Sequence, residues 1–217
     1  MQFDLERLAA TDVYKLLTAT IVPRPIAWVV TCSPDGQLNA APFSFFNMFS
    51  AEPPLVAIGI GSRDGFPKDT ARNINLTGQF VVNLVTVNSM HQMNVTAIDF
   101  GPDVSEVQVA ELETLPSARV GPPRLAASPV HLECERMVSL EVGLGRTIVI
   151  GRVLVVHVND EAVLDAGRCH IDTPALGLVG RMHGAGWYAR TTDLVQMPRL
   201  NAGDFPVPEG GKAPPGE

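Results

Sequence analysis

Three cations lie close together in an otherwise acidic chain. Arg63, Lys68 and Arg72 fall within the stretch SRDGFPKDTARNI, whereas the whole 217-residue protein has a formal charge of −7. Ser62 and Arg63 end an apolar run, and Lys-Asp-Thr precedes good helix formers. Hydroxyls, cations and the free N–H groups of a helix N-terminus could together bind one phosphate. The residues by themselves favour a simpler interpretation, in which these are solvated charges beside a helix cap.

A second segment with chemical potential is GRMHGAGWYAR, residues 180–190. Arg181 and His183 stand among three glycines and are followed by Trp187 and Tyr188. Glycines let a backbone approach a ligand closely, and the aromatic side chains could stack on a flat ring. The alternative is a glycine-rich loop with a buried tryptophan, and the pattern alone does not decide between the two.

Other kinds of site find little support. Neither common glycine-rich phosphate motif is present, because GIGSRD lacks the third glycine of G-x-G-x-x-G. His131 and Glu133 share a strand face, and Cys169 adjoins His170, but neither pair completes a metal-ligand spacing, so we predict no metal. Cys32 has no obvious base beside it and is predicted to be a buried thiol, as is Cys134.

Composition limits the protein classes. A pI near 5.2 argues against a general binder of nucleic acid or anionic membranes, and no apolar run approaches the roughly 20 residues of a membrane span. Three cysteines without a Cys-x-x-Cys pair favour a reduced, cytoplasmic protein. Charged residues form 18% of the chain against a usual value of about 25%, which favours an oligomer.

The pattern of apolar runs and turn residues predicts mainly β structure. Strands are expected at 23–31, 37–50, 54–60, 79–87, 130–143 and 146–160. Helices are expected over 1–18, from an N-cap at Asp69 or Thr70 to Gly78, and within 88–100, whereas 101–129 reads as a long loop. Strands joined mainly by hairpins indicate a closed antiparallel barrel.

The strand expected at 37–50, which follows the first strand after a turn, also predicts which of its side chains share a face. If residues 37–50 are extended throughout, Phe43, Phe45 and Asn47 lie on one face, and Ser44, Phe46 and Met48 lie on the other.

The order of several segments resembles a known family. These are PRPIAWVVT, DGQLNAAPFSFFN, PPLVAIGI, KDTARNI, FVVNLV, LEC, IGRVLVVHV and GRMHGAGWYARTTDLVQMPR. Taken together, from about residue 10 to about residue 200, they resemble the flavin reductase-like family, which includes flavoredoxin and the reductase components of two-component flavin monooxygenases.

The resemblance implies a fold and an assembly. The fold would be an FMN-binding split barrel, which is an antiparallel Greek-key barrel with a few peripheral helices. The protein would be a homodimer with flavin at or near the subunit interface. We expect one domain over residues 1–204, followed by a disordered tail over 205–217 that has too little apolar content to fold.

The resemblance also assigns roles to matching residues. The residues expected beside the ring and ribityl chain of FMN are Thr31, Asn39, Ser44, Phe45, Phe46 and Asn47. Those expected at its phosphate are Ser62, Arg63, Lys68, Asp69 and Thr70. Arg181 and His183 would reach the flavin from a late segment and serve catalysis, although the family often has a glycine where this chain has His183.

The implied function is an NAD(P)H:flavin reductase that transfers hydride from a nicotinamide to FMN. A monooxygenase that receives the reduced flavin is an implied partner. Two alternatives share the fold: an FMN-holding electron carrier like flavoredoxin, and an FMN-dependent enzyme with its own small organic substrate.

Overall fold

The computed structural model describes residues 1–101, 104–184 and 186–201. The predicted disordered tail, 205–217, lies outside the described residues. No helix in the described part of the chain is long and apolar enough to cross a membrane.

Seven antiparallel strands form the main sheet. They are β1 (Ala27–Cys32), β2 (Leu38–Phe43), β3 (Phe46–Ala51), β4 (Pro54–Ile60), β5 (Gln79–Leu84), β6 (Val130–Glu141) and β7 (Thr147–Val158). Their order in the sheet is β2-β1-β5-β6-β7-β4-β3. The expected mainly β, antiparallel barrel class is thereby confirmed, as are the strand positions to within a few residues, except that the expected strand 37–50 is divided into β2 and β3.

The two edge strands of this sheet, β2 and β3, are consecutive in the chain. Only Ser44 and Phe45 separate them, and the Gly59 N–H of β4 donates to the Phe45 carbonyl over 2.7 Å. A Cβ at Gly59 would come within 3.1 Å of the Phe45 Cβ, so a glycine permits this close approach. The sheet therefore curls until its edges meet at Ser44–Phe45.

This bend corrects the expectation of one extended segment over residues 37–50. Phe43 and Phe46 both turn toward the main core, whereas the intervening Phe45 is 51% exposed. The alternation of faces is interrupted because the chain changes from one edge of the sheet to the other between Phe43 and Phe46.

The sequence of strand β1 is continuously apolar because both faces of the strand are buried. Ala27 and Val29 belong to the core cluster that contains Phe80 and Ile58, whereas Trp28 packs in a second cluster with residues of the helices beyond the sheet. Since both faces are covered, the period-two pattern of a half-exposed strand is absent.

The described residues form four α-helices and four short 3-10 helices. The 3-10 helices are Leu5–Arg7, Asp160–Ala162, Ala166–Arg168 and Pro174–Leu176. The α-helices are α1 (Ala10–Thr20), α2 (Asp69–Thr77), α3 (Met90–Val95) and α4 (Glu106–Val109). Helix α2 ends at Gly78, which has φ 74°, as its sequence predicted. The predicted N-cap was wrong, because Lys68 occupies that position and no side chain caps the helix. Helix α4 lies within the segment expected to be a loop.

The remaining described strands are two or three residues long. They pair as Ser62–Arg63 with Phe66–Pro67, Thr114–Leu115 with Arg124–Leu125, Val163–Asp165 with His170–Ile171, and Val179–Arg181 with Tyr188–Arg190. The last pair is called the late hairpin below. It is tied to the barrel by reciprocal backbone hydrogen bonds between Arg24 and Arg181, of 2.9 and 2.7 Å.

Candidate functional site

A groove beside β2 collects most of the predicted site residues. One end, the cationic cavity, has a volume of about 70 Å³ and is lined by Asn39, Arg63, Lys68, Asp69 and Thr70, among others. The adjoining middle cavity, of about 290 Å³, shares Pro42, Phe43 and Ala97 as a common wall. The cationic cavity is therefore the small basic end of the groove, and the middle cavity is the larger space beside it.

The middle cavity contains Arg181 from the late hairpin. Its guanidinium lies 4.7 Å from the ring centroid of Tyr188, which also lines this cavity together with Tyr14 and Ser44. A cation stacked on an aromatic ring is held in place while its outer edge remains able to donate hydrogen bonds. Arg181 is therefore positioned to donate to a ligand in this cavity.

Ser44 also borders a third space, the apolar cavity, of about 620 Å³. Phe45, Phe46 and Asn47 line it, at the point where the sheet closes. Four residues predicted beside the flavin ring are thus together, and their grouping results from the bend between β2 and β3.

Two predicted residues support the groove from inside the protein. Thr31 is fully buried and donates to Asn39 Oδ1 over 3.3 Å, and Thr70, also buried, donates to the same oxygen over 2.9 Å. Asn73 in turn donates to Thr31 over 3.1 Å. The Thr70 hydroxyl proton is therefore engaged with Asn39 in this structure.

Glu106 completes this arrangement, which we call the Asn39 network. Its Oε2 accepts from Asn39 Nδ2 over 2.9 Å and from the Ala40 N–H over 3.3 Å. Sequence reasoning missed Glu106 because it lies in the segment interpreted as a loop. The buried Asn39 amide needs an acceptor, but nothing in the chain indicates which of many carboxylates supplies it.

The cations of the groove face a carboxylate that the sequence analysis also missed. Asp99 pairs with Arg63 Nη2 and lies 3.4 Å from Lys68 Nζ. The hydrogen bond from Arg63 is the main reason that the pKa of Asp99 is lowered, with burial opposing it and Lys68 assisting. Arg72 instead pairs with Asp69 at 2.6 Å and does not line the cationic cavity.

Besides the buried Thr31, two predicted residues, Ser62 and His183, line none of the three cavities as the described residues define them. Ser62 pairs with Pro67, in the pair of two-residue strands Ser62–Arg63 and Phe66–Pro67. His183 is exposed, with its ring centroid 5.7 Å from that of Trp187. Trp187 is 60% exposed, so the alternative of a loop around a buried tryptophan is wrong.

Two of the residues considered for metal binding, His131 and Glu133, belong to a second buried arrangement, the Glu133 network, on β5, β6 and β7, whereas Cys169 and His170 are exposed. Glu133 accepts hydrogen bonds from the Ala118 and Arg119 N–H groups at 2.7 and 2.6 Å and from His157 Nε2 at 2.6 Å. His131 Nδ1 lies 2.9 Å from Asn83 Oδ1. Within the described ranges, no three His, Cys, Asp or Glu side chains are arranged to hold a metal.

The cysteines differ in burial. Cys134 is fully buried, and burial raises the pKa of its thiol, with Glu133 adding to the effect. Cys32 is only half-buried, which corrects its prediction as a core residue, and all three cysteines are free.

With this geometry in hand, comparison with known proteins identifies the class. Residues 19–172 match the family described as "Flavin reductase like domain". Because the match covers well over half of the chain, the protein belongs to the flavin reductase-like family.

Individual relatives agree with this assignment. An uncharacterized protein of Deinococcus radiodurans is 46% identical over 203 residues, which cover 91% of this chain and 89% of that protein. Nitrilotriacetate monooxygenase component B from Bacillus cereus is 30% identical with a TM-score of 0.83, covering 92% and 98% of the two chains. The 2-nitrobenzoate 2-nitroreductase of Pseudomonas fluorescens is 29% identical with a TM-score of 0.86, covering 96% and 100%.

The fold assignment has separate support. A flavin reductase with a split barrel domain from Shewanella frigidimarina is 22% identical, with a TM-score of 0.78 over 92% of this chain and 100% of that chain. The split-barrel fold expected from the sequence is thereby confirmed.

Proposed function

We propose that this protein is an NAD(P)H:flavin oxidoreductase that binds FMN along the groove. One observation carries this proposal. Arg63 and Lys68, the latter at the start of α2, line a cavity that shares a wall with a larger cavity. A phosphate would bind among the cations, and the chain and ring of the flavin would continue toward Ser44 and Arg181.

The donor groups present fit a phosphate. Helix α2 has no side-chain cap, so N–H groups of its first turn are available to an anion, and Lys68 stands at that N-terminus. The buried Nε of Arg63 has no hydrogen-bond partner among the described residues, which leaves this guanidinium with an unused donor. A phosphate offers several acceptor oxygens for such donors.

When bound, FMN supplies the redox chemistry by accepting hydride from a reduced nicotinamide. The chain's own residues bind and orient. Asn39 is fixed by Thr70 and Glu106, and it would present a rigid wall to the flavin beside the phosphate. Arg181, stacked on Tyr188, would place positive charge near the ring and favour an anionic reduced form.

The proposed assembly is a homodimer. Met48 and Phe49 on β3 are 71% and 70% exposed, and Leu144 in the turn between β6 and β7 is 74% exposed. Such apolar surface is commonly covered by a partner. His183, which is exposed here, would then contribute to a flavin held at the interface. A monooxygenase that receives reduced flavin is a further proposed partner, supported by the likeness to a monooxygenase component B.

A second candidate is an FMN-dependent enzyme with its own organic substrate. The apolar cavity of about 620 Å³ next to Ser44 favours it, as does the likeness to a nitroreductase. An FMN-holding electron carrier without a nicotinamide site is the remaining alternative.

Anaerobic mixing of the purified protein with FMN and either NADH or NADPH tests the proposal. Catalytic bleaching of flavin absorbance with one of the nucleotides is expected. If neither nucleotide bleaches FMN, although FMN binds, the reductase proposal is wrong. Bleaching followed by turnover of an added nitroaromatic compound would favour the second candidate.

A further inference from the structure

The two cations at the basic end of the groove are not free in this structure. Asp99 pairs with both Arg63 and Lys68, and the neighbouring Phe100 carbonyl accepts from Arg63 Nη1 over 3.1 Å. We propose that Asp99 is an internal counter-anion that competes with the flavin phosphate for these cations, and thereby sets how tightly and for how long FMN is held. This inference rests on the proposed function, because it assumes that the phosphate binds at this end.

The geometry makes Asp99 displaceable. Its side chain is 57% exposed, so its carboxylate can move away from Lys68 into water without a large desolvation cost. The Arg63 side chain is 39% exposed and that of Lys68 is 33% exposed, and both line the cationic cavity. A phosphate entering the cavity therefore meets the same donors that Asp99 uses.

The charge balance gives the direction of the effect. Asp69 pairs with Arg72, and Glu106 also lines the cavity, so the charges of Arg63 and Lys68 are balanced by those of Asp99 and Glu106. A neutral side chain at position 99 would leave one net positive charge facing a dianionic phosphate. For partly exposed groups, we expect an affinity gain of about tenfold rather than the large values of a dry interior.

Asp99→Asn tests this role, and Asp64→Asn is the matched control. Asp64 lies next to Arg63 and its substitution removes the same charge, but it is exposed and makes no hydrogen bond or salt bridge to either cation. Its φ is 50°, a conformation that asparagine tolerates. The comparison therefore separates direct competition from a change in overall charge.

The measurements are dissociation constants for FMN and riboflavin by fluorescence quenching, and FMN release rates by stopped flow. Asp99→Asn should bind FMN about tenfold more tightly, mainly through slower release, with riboflavin affinity changed less than about twofold. Asp64→Asn should change both affinities by less than about twofold.

Two results would overturn the inference while leaving the proposed function intact. Asp99→Asn could bind FMN no more tightly than Asp64→Asn does, which would mean that Asp99 does not compete with the phosphate. Alternatively, Asp99→Asn could bind FMN more weakly than the wild-type protein, which would mean that Asp99 positions the cations. If the wild-type protein instead binds FMN no better than riboflavin, the proposed phosphate end itself is wrong.

Discussion

The Asn39 network and the Glu133 network are both buried and hydrogen-bonded, but they differ in what lies next to them. The Asn39 network borders a cavity that also contains two cations and the uncapped start of α2. The Glu133 network satisfies a buried carboxylate with two backbone N–H groups and His157, and so fastens residues 118–119 to the sheet. A cavity of about 340 Å³ lies beside His131 and His157, but His131 Nδ1 and His157 Nε2 are already hydrogen-bonded to Asn83 and Glu133.

The comparison teaches that residue type alone is a poor guide to function. Histidine and glutamate side chains gather in the Glu133 network, where they hold a loop to the sheet. The proposed flavin site rests instead on amides and hydroxyls, which position a groove whose charge comes from Arg63 and Lys68. Cofactor chemistry explains this, because a flavin enzyme needs orientation and electrostatics more than its own acid or base.

The largest expected effect is on stability, from Glu133→Ala. This change leaves the N–H groups of Ala118 and Arg119 and the His157 ring without the fully buried carboxylate that accepts from them, and should lower the free energy of unfolding by about 3–5 kcal/mol. Urea denaturation measures it, with Glu135→Ala as control, since Glu135 forms a partly exposed pair with Arg152. A loss below about 1 kcal/mol, or weaker FMN binding by the folded variant, would contradict the assignment of this network to stability.

The same network predicts a pH dependence through His131. Burial lowers the pKa of His131 from 6.5 to about 4, with Arg124 and His157 adding to the effect and Glu133 opposing it. Between these values the unfolded chain binds a proton that the folded protein does not. The contribution of His131 is therefore complete above pH 6.5 and is lost as the pH falls toward 4.

His131→Asn checks this dependence, because an asparagine amide can still donate to Asn83 Oδ1 but does not titrate. Between pH 7 and pH 4.5, the variant should lose about 2 kcal/mol less stability than the wild-type protein. Glu133 and Asp99, whose pKa values are also lowered, are present in both proteins, so the difference between the two stability curves reports mainly on His131. Parallel stability curves for the two proteins would refute the prediction.

A smaller change tests the two networks against each other. Asn39→Ala and Asn83→Ala each remove a buried amide with several hydrogen bonds, and each should lower stability by about 1–3 kcal/mol. Only Asn39 lines the cationic cavity, so only Asn39→Ala should also weaken FMN binding, by about 1 kcal/mol. Equal loss of FMN affinity in the two variants would remove the functional distinction between the networks.

The sequence predicted the barrel better than it predicted the groove, for identifiable reasons. Continuous apolar runs such as β1, and Gly78 after α2, are local sequence signals, and the structure has the strand and the helix end that they predict. The bend at Ser44–Phe45 has no such signal, because the apolar pattern continues on both sides of it. Glu106 and Asp99 were missed because a carboxylate in a loop acquires its partner only when the loop folds back over β2.

The cationic stretch that first suggested a phosphate supports the most direct test of the account. Lys68→Ala should weaken FMN binding by about 1–2 kcal/mol, since Lys68 is one-third exposed and its interaction with phosphate is partly screened. Riboflavin, which has no phosphate, should bind Lys68→Ala as it binds the wild-type protein. Arg152→Ala removes an equal charge from a residue that pairs with Glu135 and lines none of the three cavities, and should leave both affinities nearly unchanged.

Calorimetric titration of these three proteins with both flavins gives the decisive comparison. The account predicts an affinity loss confined to Lys68→Ala with FMN. Equal losses for FMN and riboflavin, equal losses in Lys68→Ala and Arg152→Ala, or no loss at all would show that the cations are ordinary surface charges and that FMN does not place its phosphate there.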